Sequence, residues 1–195
     1  MENIQQILDK LGLESQLTLE DIPQIDLYMD QVIQLFENTY SSAKRNDEEK
    51  VLTKTMINNY AKGKLFFPIK NKKYSKEHLI LISLIYQLKG ALSINDIKDS
   101  LFKINEKASM DHFELEHFYE SYLHVVNKNI KRFNEDINAI SKDVEEEIER
   151  LEDSDKKELE QILMISSLAN MSNFYRRAAE KLVDELNLGQ KKKEK

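Results

Sequence analysis

About half of this chain, from Ala91 to Leu188, contains neither glycine nor proline. The whole sequence of 195 residues has only four glycines and two prolines. Short strands need tight turns, and tight turns draw heavily on these two residue types. We therefore predict an all-α protein in which a small β-hairpin near residues 66–74, here called the wing, supplies the strands. The 41% hydrophobic content is sufficient for a core.

Several function classes are disfavoured by what the sequence lacks. Cysteine is absent, which excludes disulfides, zinc–thiolate sites and a cysteine nucleophile. No nucleophile-elbow motif, phosphate-cradling glycine loop or dinucleotide fingerprint occurs. The first residues are polar and amphipathic, unlike a signal peptide, and no apolar run approaches the roughly 18 residues that span a bilayer. We expect a cytoplasmic protein that is not an enzyme, binds no cofactor and does not enter a membrane.

Positive charge is concentrated in the segment from Lys50 to Lys76, which carries eight lysines and no acidic residue. The formal net charge of the chain is −6, so the remaining residues sum to −6 − 8 = −14. A basic surface on an otherwise acidic protein is typical of a nucleic-acid contact. The order of the segment, a short helix, a turn and a lysine-rich loop, favours the same interpretation.

Apolar periodicity divides the chain into two parts. Residues 1–105 form a compact helical head, in which one helix is predicted from about residue 24 to 39 and a nearly uniformly apolar helix after Ser75 must lie in the centre. Residues 110–188 form a long antiparallel αα-hairpin for dimerisation or effector binding, with helices at about 110–151 and 156–187. Gly189 should end the last helix, which leaves residues 189–195 as a frayed tail.

The lysine segment contains a candidate recognition helix, with Thr53 at its N-cap and Gly63 at its end. Leu52, Met56, Ile57 and Tyr60 lie on its apolar side. Lysines would anchor phosphates and asparagines can bond an adenine edge. The candidate DNA-reading side chains are Lys54, Thr55, Asn58, Asn59 and Lys62. At the tip of the wing, the candidate phosphate contacts are Lys70, Lys72 and Lys73.

Residues 56–98 resemble the winged helix-turn-helix domain of MerR-type transcriptional regulators. Tyr60, Leu65 and Pro68 match a tyrosine, a leucine and a proline of that family. The basic end of the wing is matched by Lys72, Lys73 and Tyr74, and the final helix by SINDIK at residues 93–98. The resemblance implies a DNA-binding regulator with Tyr74 among the contact residues, and a dimer joined by the long helix that follows.

This chain departs from the MerR pattern at three positions. Asn58 and Asn59 replace an arginine and a tyrosine, and Lys64 stands where that family has glycine, because the glycine has moved to Gly63. A closer resemblance joins IDLYMDQV at residues 25–32 with LTKTMINNY at residues 52–60. These motifs are similar to an uncharacterised bacterial family described only as a domain of unknown function.

Two other kinds of site are open alternatives. Glu114, His117, Glu120 and His124 share one helical face, but a di-iron bundle needs a second Glu-x-x-His motif, which is missing, so we expect no metal. A small-molecule effector could bind in the helical hairpin region between aromatic side chains, which are otherwise ordinary core residues. Those aromatic residues are Tyr119, Tyr122, Phe133, Phe174 and Tyr175.

The residues favour a sequence-specific, dimeric DNA-binding regulator of transcription that binds double-stranded DNA. The alternative is a non-enzymatic protein-interaction module, in which the same lysines would dock an acidic partner. If Lys54, Asn58 and Lys62 are exposed on an open helix beside the wing, DNA binding is favoured. If the long hairpin covers that face, DNA binding by this form is disfavoured.

Overall fold

The computed structural model describes residues 4–109 and 114–191. It confirms the prediction of an all-α protein, because the described residues form seven α-helices, one short 3-10 turn at Ser41–Ala43 and a sheet of two short strands. In chain order the elements are α1 (Ile4–Asp9), β1 (Leu27–Tyr28), α2 (Met29–Tyr40), α3 (Lys54–Lys62), β2 (Lys73–Tyr74), α4 (Lys76–Leu88), α5 (Ile94–Ser109), α6 (Leu115–Glu149) and α7 (Lys156–Lys191).

The small sheet differs from the predicted hairpin in its partner strand. β2 pairs antiparallel with β1, so that Leu27 lies opposite Tyr74. Within residues 66–74 the pairing is limited to one bridge between Lys70 and Lys73. The predicted helix from residue 24 therefore begins only at Met29. The reason is that the extended residues before it are held by the wing, a pairing across more than forty residues of sequence.

α4 is the central element of the head, as its apolar sequence predicted. Leu79, Ile80, Leu81 and Ile82 follow one another in the chain and are all fully buried. Side chains from α2, α3, α5 and the start of α6 pack around them in one continuous core. That core begins at Leu17 and its last buried member is Tyr119 on α6. The head is therefore completed by the first two turns of the hairpin.

A ring of four buried hydrogen bonds joins α2, α4 and α6 to the segment before α2. The hydroxyl of Tyr119 donates to the carbonyl oxygen of Leu17 at 2.7 Å. Ser83 Oγ therefore donates to Tyr119 at 2.7 Å, and Tyr40 donates to Ser83 at 3.1 Å. The N–H of Leu17 closes the ring on the Tyr40 oxygen at 3.3 Å. Every hydroxyl both donates and accepts, so no buried polar group in the ring lacks a partner.

The hairpin has a small core of its own near its turn. Ile137, Val144 and Ile148 of α6 pack against Met164 of α7 and Leu8 of α1. Farther along, α7 also packs against α5, where the Asn187 amide donates to the Asp99 carboxylate at 2.8 Å. α7 continues through Gly189 to Lys191, beyond its predicted end, because a glycine inside a helix costs only about 1 kcal/mol and does not force the helix to stop. Residues 192–195 of the predicted tail and residues 110–113 lie outside the described part.

α7 keeps many apolar side chains exposed. Met164 is buried, whereas Tyr175 and Leu182, farther along the same heptad-like stripe, are 65% and 63% exposed. The other exposed large apolar residues of α7 are Ile162, Leu163, Ile165, Phe174, Leu186 and Leu188. None of the described helices combines the length and the apolarity that crossing a membrane requires.

Candidate nucleic-acid interface

α3 is a short amphipathic helix whose polar side faces solvent. Thr53 caps it, because the Thr53 hydroxyl accepts the N–H of Met56 at 3.2 Å. Ile57 and Tyr60 are buried in the head core, and Met56 is partly buried beside them. The five predicted reading residues, Lys54, Thr55, Asn58, Asn59 and Lys62, are all exposed. The helix packs against α2 on its buried side.

The wing tip is a tight two-residue turn. The N–H of Lys73 donates to the carbonyl oxygen of Lys70 at 2.9 Å, and Asn71 and Lys72 between them have φ of 51° and 59°. Positive φ at both central residues is the requirement of a type I′ hairpin turn, and asparagine is favoured there. Lys70 and Lys72 are exposed. Tyr74 is only 2% exposed, with its ring against Phe66, so it forms the base of the wing and not its outer surface.

His78 holds the base of the wing to α4. One ring nitrogen, Nε2, donates to the Phe67 carbonyl oxygen at 3.1 Å, and Nδ1 accepts the N–H of Ser75 at 3.2 Å. The imidazole lies 4.0 Å from the Phe67 ring, centroid to centroid. Burial lowers the pKa of His78 and outweighs the opposing influence of the Phe67 hydrogen bond. The neutral imidazole therefore holds the residues on both sides of the wing, Phe67 and Ser75, against α4.

The N-terminus of α2 connects the reading face with the wing. Lys54 Nζ lies 2.7 Å from the carboxylate of Asp30, in the first turn of α2. Two residues earlier, the Tyr28 ring lies below Lys73 of the wing, with the ammonium 5.2 Å from the ring centroid. The α3 face and the wing are therefore joined through residues 28–30 as one surface. Asp30 is the acidic member of that surface.

Lys64 belongs to this surface, although the sequence patterns do not assign it a role. It directly follows the C-cap of α3 and has φ of 57°, a left-handed conformation that glycine normally adopts. The N–H of Leu65 donates to the Tyr60 carbonyl oxygen and that of Lys64 to Ala61, which is the Schellman pattern. A Cβ at Gly63 would lie 2.6 Å from the Leu65 side chain, so a larger residue there would require buried Leu65 to shift. The sequence signal for this conformation is that Lys64 stands where the MerR family has a glycine.

The lysines of this surface differ in how far they are neutralised. Lys54 is paired with Asp30, and Lys76 is paired with Glu116 on α6 at 2.7 Å. In the part of the chain that the structure describes, no carboxylate forms an ion pair with the exposed Lys62, Lys64, Lys70 or Lys72. These four ammonium groups are therefore available to an anionic partner.

A comparison with known proteins identifies the family to which this surface belongs. The model of the family described as "Domain of unknown function (DUF1836)" matches residues 17–122, more than half of the chain. The chain belongs to the DUF1836 family. This confirms the resemblance to a domain of unknown function, whereas the finer MerR-type likeness has no support from the comparisons. Searches of curated proteins and of solved structures found no match.

The limits of the DUF1836 match coincide with those of the head core. Leu17 is the first residue of the match and the first buried residue of that core, and Tyr122 at its end packs on the core from α6. The Tyr119 and Tyr122 rings are stacked with centroids 5.9 Å apart. The family unit is therefore the head plus the start of α6, and the basic surface lies wholly within it.

The structure of this DUF1836 protein also shows where the residues of the two alternative sites lie, namely the candidate metal cluster and the aromatic effector pocket. Glu114 and His117 form an exposed pair at 2.6 Å, and among the described residues no group of three or more acidic or histidine side chains could hold a metal ion. Tyr119 is buried in the core, whereas Phe174 and Tyr175 are exposed on α7. The five aromatic residues are thus not gathered around one pocket. A cavity of about 450 Å³ instead lies between α6 and residues 8–15.

Proposed function

We propose that this protein is a sequence-specific, winged-helix DNA-binding regulator of transcription that acts as a dimer. The observation that carries the proposal is the continuous exposed surface formed by the outer face of α3, Lys64 and the wing tip. It combines unpaired lysines, which suit phosphates, with two adjacent exposed asparagines, which suit base edges. An acidic protein gains an orientation on DNA from such a surface, because its other faces are repelled.

The arrangement of the hairpin supports this proposal. An exposed short helix next to a basic wing is the arrangement by which winged helices place one element in the major groove and another on the backbone. α3 packs on α2 and its outer side chains are exposed, so the hairpin leaves this face open. Had α6 or α7 covered Lys54, Asn58 and Lys62, DNA binding by this form would have been disfavoured.

The dimer is supported by the apolar side chains of α7. The stripe through Met164 and Leu168 packs in the hairpin core, but its continuation at Tyr175, Leu182 and Leu186 is exposed. Spacings of three and four residues are those of a coiled-coil seam. A second copy would supply the missing partner for this stripe, with each protomer offering the same surface to the other. Two basic surfaces would then be available for the two halves of a DNA site.

Selection from a random-sequence duplex pool tests the proposal. The full chain should enrich a defined sequence with inverted-repeat symmetry, and the Lys72→Ala/Lys73→Ala variant should bind all sequences more weakly. Asn58→Ala should retain affinity for the pool but change which bases are enriched. Retention of DNA without enrichment would refute sequence specificity. If the protein instead binds acidic proteins through the same lysines and no DNA, the rival function of an interaction module is correct.

A further inference from the structure

We propose that Tyr28 is a further DNA-contacting residue, whose hydroxyl donates a hydrogen bond to a backbone phosphate between the exposed face of α3 and the wing. Tyr28 is the last residue of β1 and directly precedes α2. The inference rests on the proposed DNA-binding function. It adds a neutral hydrogen-bond donor to a surface whose other phosphate contacts are lysines.

Tyr28 is exposed, unlike the other tyrosines of the family unit. All eight tyrosines of the chain lie in the part that the structure describes. Tyr28 is 54% exposed. The other tyrosines within residues 17–122 are buried or partly buried, namely Tyr40, Tyr60, Tyr74, Tyr86, Tyr119 and Tyr122. Packing of the head core therefore does not explain why a tyrosine stands at position 28.

Both the backbone and the ring of Tyr28 are held in place. Its N–H donates to Oε1 of Gln31 at 2.9 Å, and the pairing of β1 with β2 places Tyr28 opposite Lys73. The Lys73 ammonium lies 5.2 Å from the centroid of the Tyr28 ring, which is a cation–π contact. A side chain that is ordered before binding loses less conformational freedom when it contacts a partner. Tyr28 is therefore suited to a contact surface.

Tyr28 lies where the two proposed DNA-contacting elements meet. The α3 face adjoins it on one side, because Lys54 is paired with Asp30, two residues after Tyr28. The wing adjoins it on the other side through Lys73. In helix-turn-helix proteins, the helix before the recognition helix crosses the sugar–phosphate backbone. α2 has that place here, so a residue at its start lies beside the backbone when α3 occupies the major groove.

The surroundings of Tyr28 favour a phosphate over a base. The Lys73 ammonium lies over the ring, so stacking of a base on that face would require Lys73 to move. The hydroxyl at the edge of the ring remains as a donor, and tyrosine hydroxyls are among the groups that bind phosphate oxygens in protein–DNA complexes. Lys73 adds positive charge beside it. The Asp30 carboxylate is paired with Lys54 and therefore opposes a phosphate less than a free carboxylate would.

Tyr28→Phe isolates the hydroxyl, because it keeps the ring beside Lys73. Fluorescence anisotropy with a labelled random-sequence duplex pool compares this variant of the full chain with the wild type. We expect affinity to fall at least about threefold, since a hydrogen bond to a charged acceptor is lost. Thermal unfolding followed by circular dichroism should give the same midpoint for both proteins. Wild-type DNA affinity in Tyr28→Phe would overturn the assignment.

The salt dependence of binding separates this contact from those of the lysines. A phenol is uncharged and displaces no counterion, so Tyr28→Phe should keep the wild-type slope of log affinity against log salt concentration. Lys73→Ala should reduce the magnitude of that slope by about one. A slope reduced as much in Tyr28→Phe as in Lys73→Ala would show that the phenylalanine displaces Lys73, and it would overturn the role of the hydroxyl.

Selection from the same pool tests the choice of a phosphate. Tyr28→Phe should enrich the same sequence as the wild type, because phosphate contacts carry no sequence information. Ile25→Ala is the control, since Ile25 is 69% exposed in the same segment and has no hydrogen-bonding side chain. It should bind like the wild type. A changed sequence preference in Tyr28→Phe, or an equal loss of affinity in Ile25→Ala, would contradict the proposed contact.

The failure of this inference differs from that of the proposed function. DNA binding by the wild type that Tyr28→Phe leaves unchanged contradicts only the role of Tyr28. No binding of the duplex pool by the wild type contradicts the proposed function, and the Tyr28 contact with it.

Discussion

The hydroxyl of Tyr119 on α6 donates a hydrogen bond of 2.7 Å to the backbone oxygen of Leu17, which lies 102 residues earlier in the chain. Through Ser83 and Tyr40 the same ring reaches α4 and α2. Leu17 is the first residue of the DUF1836 match, and Tyr119 lies one turn before its end. This hydrogen bond therefore closes the family unit, and it connects the helical hairpin with the helices that carry the basic surface.

Replacing Tyr119 by Phe should destabilise the protein by about 1–3 kcal/mol, because the Leu17 carbonyl and the Ser83 hydroxyl would each lose a buried partner. Chemical unfolding in urea, followed by circular dichroism, gives the free energy of unfolding. Tyr175→Phe removes the same atom at an exposed position and should change stability by less than about 0.5 kcal/mol. Equal effects of the two substitutions would mean that the ring of buried hydrogen bonds contributes no stability.

Lys64→Gly should raise stability by about 1 kcal/mol, because a lysine in the left-handed region is strained and glycine is not. It should also weaken DNA binding through the loss of one charge. Lys62→Gly is the matched control, since it removes the same charge from the last turn of α3 but should destabilise that helix by about 0.5–1 kcal/mol. If Lys64→Gly gained stability and lost no DNA affinity, Lys64 would have no part in the basic surface.

Asp30→Asn should raise affinity for duplex DNA by roughly twofold to tenfold, because it frees Lys54 and removes a negative charge from the basic surface. Stability should change little, since the Lys54–Asp30 pair is exposed. Fluorescence anisotropy with a labelled duplex measures the effect. Asp136→Asn alters the net charge equally at an exposed position of α6, and a gain of the same size in that control would indicate a general charge effect.

Stability should fall as the pH drops below about 6.5, the ordinary pKa of histidine. Burial lowers the pKa of His78 in the folded state, so between the two pKa values the unfolded chain binds more protons. Stability is therefore retained above pH 6.5 and lost below it, by at most about 1.4 kcal/mol per pH unit for one group. Urea titrations at several pH values measure this, and His78→Gln should flatten the profile between pH 6.5 and 5.5.

The control for this pH dependence is His124→Gln, which removes an exposed histidine. Its profile should follow that of the wild type. A wild-type profile that is flat through this range, or one that His124→Gln flattens as much as His78→Gln does, would contradict the assignment to the buried imidazole.

Leu182→Glu should convert the proposed dimer to a monomer, because it places a charge in the middle of the exposed stripe of α7. Size-exclusion chromatography with light scattering measures the mass of the wild type, for which we expect twice 23.0 kDa. Leu151→Glu, at another exposed leucine beside the hairpin turn, should remain dimeric. A wild type that is monomeric at micromolar concentration would refute the dimer.

Local sequence patterns predicted most helices but not the contacts between distant segments. The apolar run of α4 and the spacing in α6 are local signals, and both helices were predicted. β1 was missed because Leu27 and Tyr28 fit a helical pattern and become extended only by pairing with β2. The apolar stripe of α7 was predicted as packed, but spacing cannot indicate that α7 packs against α5 as well as α6.

In the candidate site, too, local features were predicted from the sequence and contacts between distant segments were not. The predicted reading residues are exposed because amphipathic spacing determines which side of α3 is buried. The burial of Tyr74 and the Lys54–Asp30 pair depend on tertiary packing. The same holds for the cavity, whose lining residues within 8–15 and Asn134 lie on opposite sides of the DUF1836 segment in sequence. Lys64 was only partly predictable. A helix followed by Gly-Lys indicates a left-handed residue at its end, but it does not indicate which of the two residues adopts that conformation.

The decisive test of DNA binding through the basic surface is the salt dependence of affinity for duplex DNA. Binding through lysines releases counterions, so the logarithm of affinity should fall linearly with the logarithm of salt concentration, with a slope of about −0.9 for each phosphate contacted. The wild type should give a steep slope, and Lys70→Ala/Lys72→Ala/Lys73→Ala should reduce its magnitude by about two to three. Absent or salt-insensitive binding by the wild type, or an unchanged slope in the triple variant, would contradict the account.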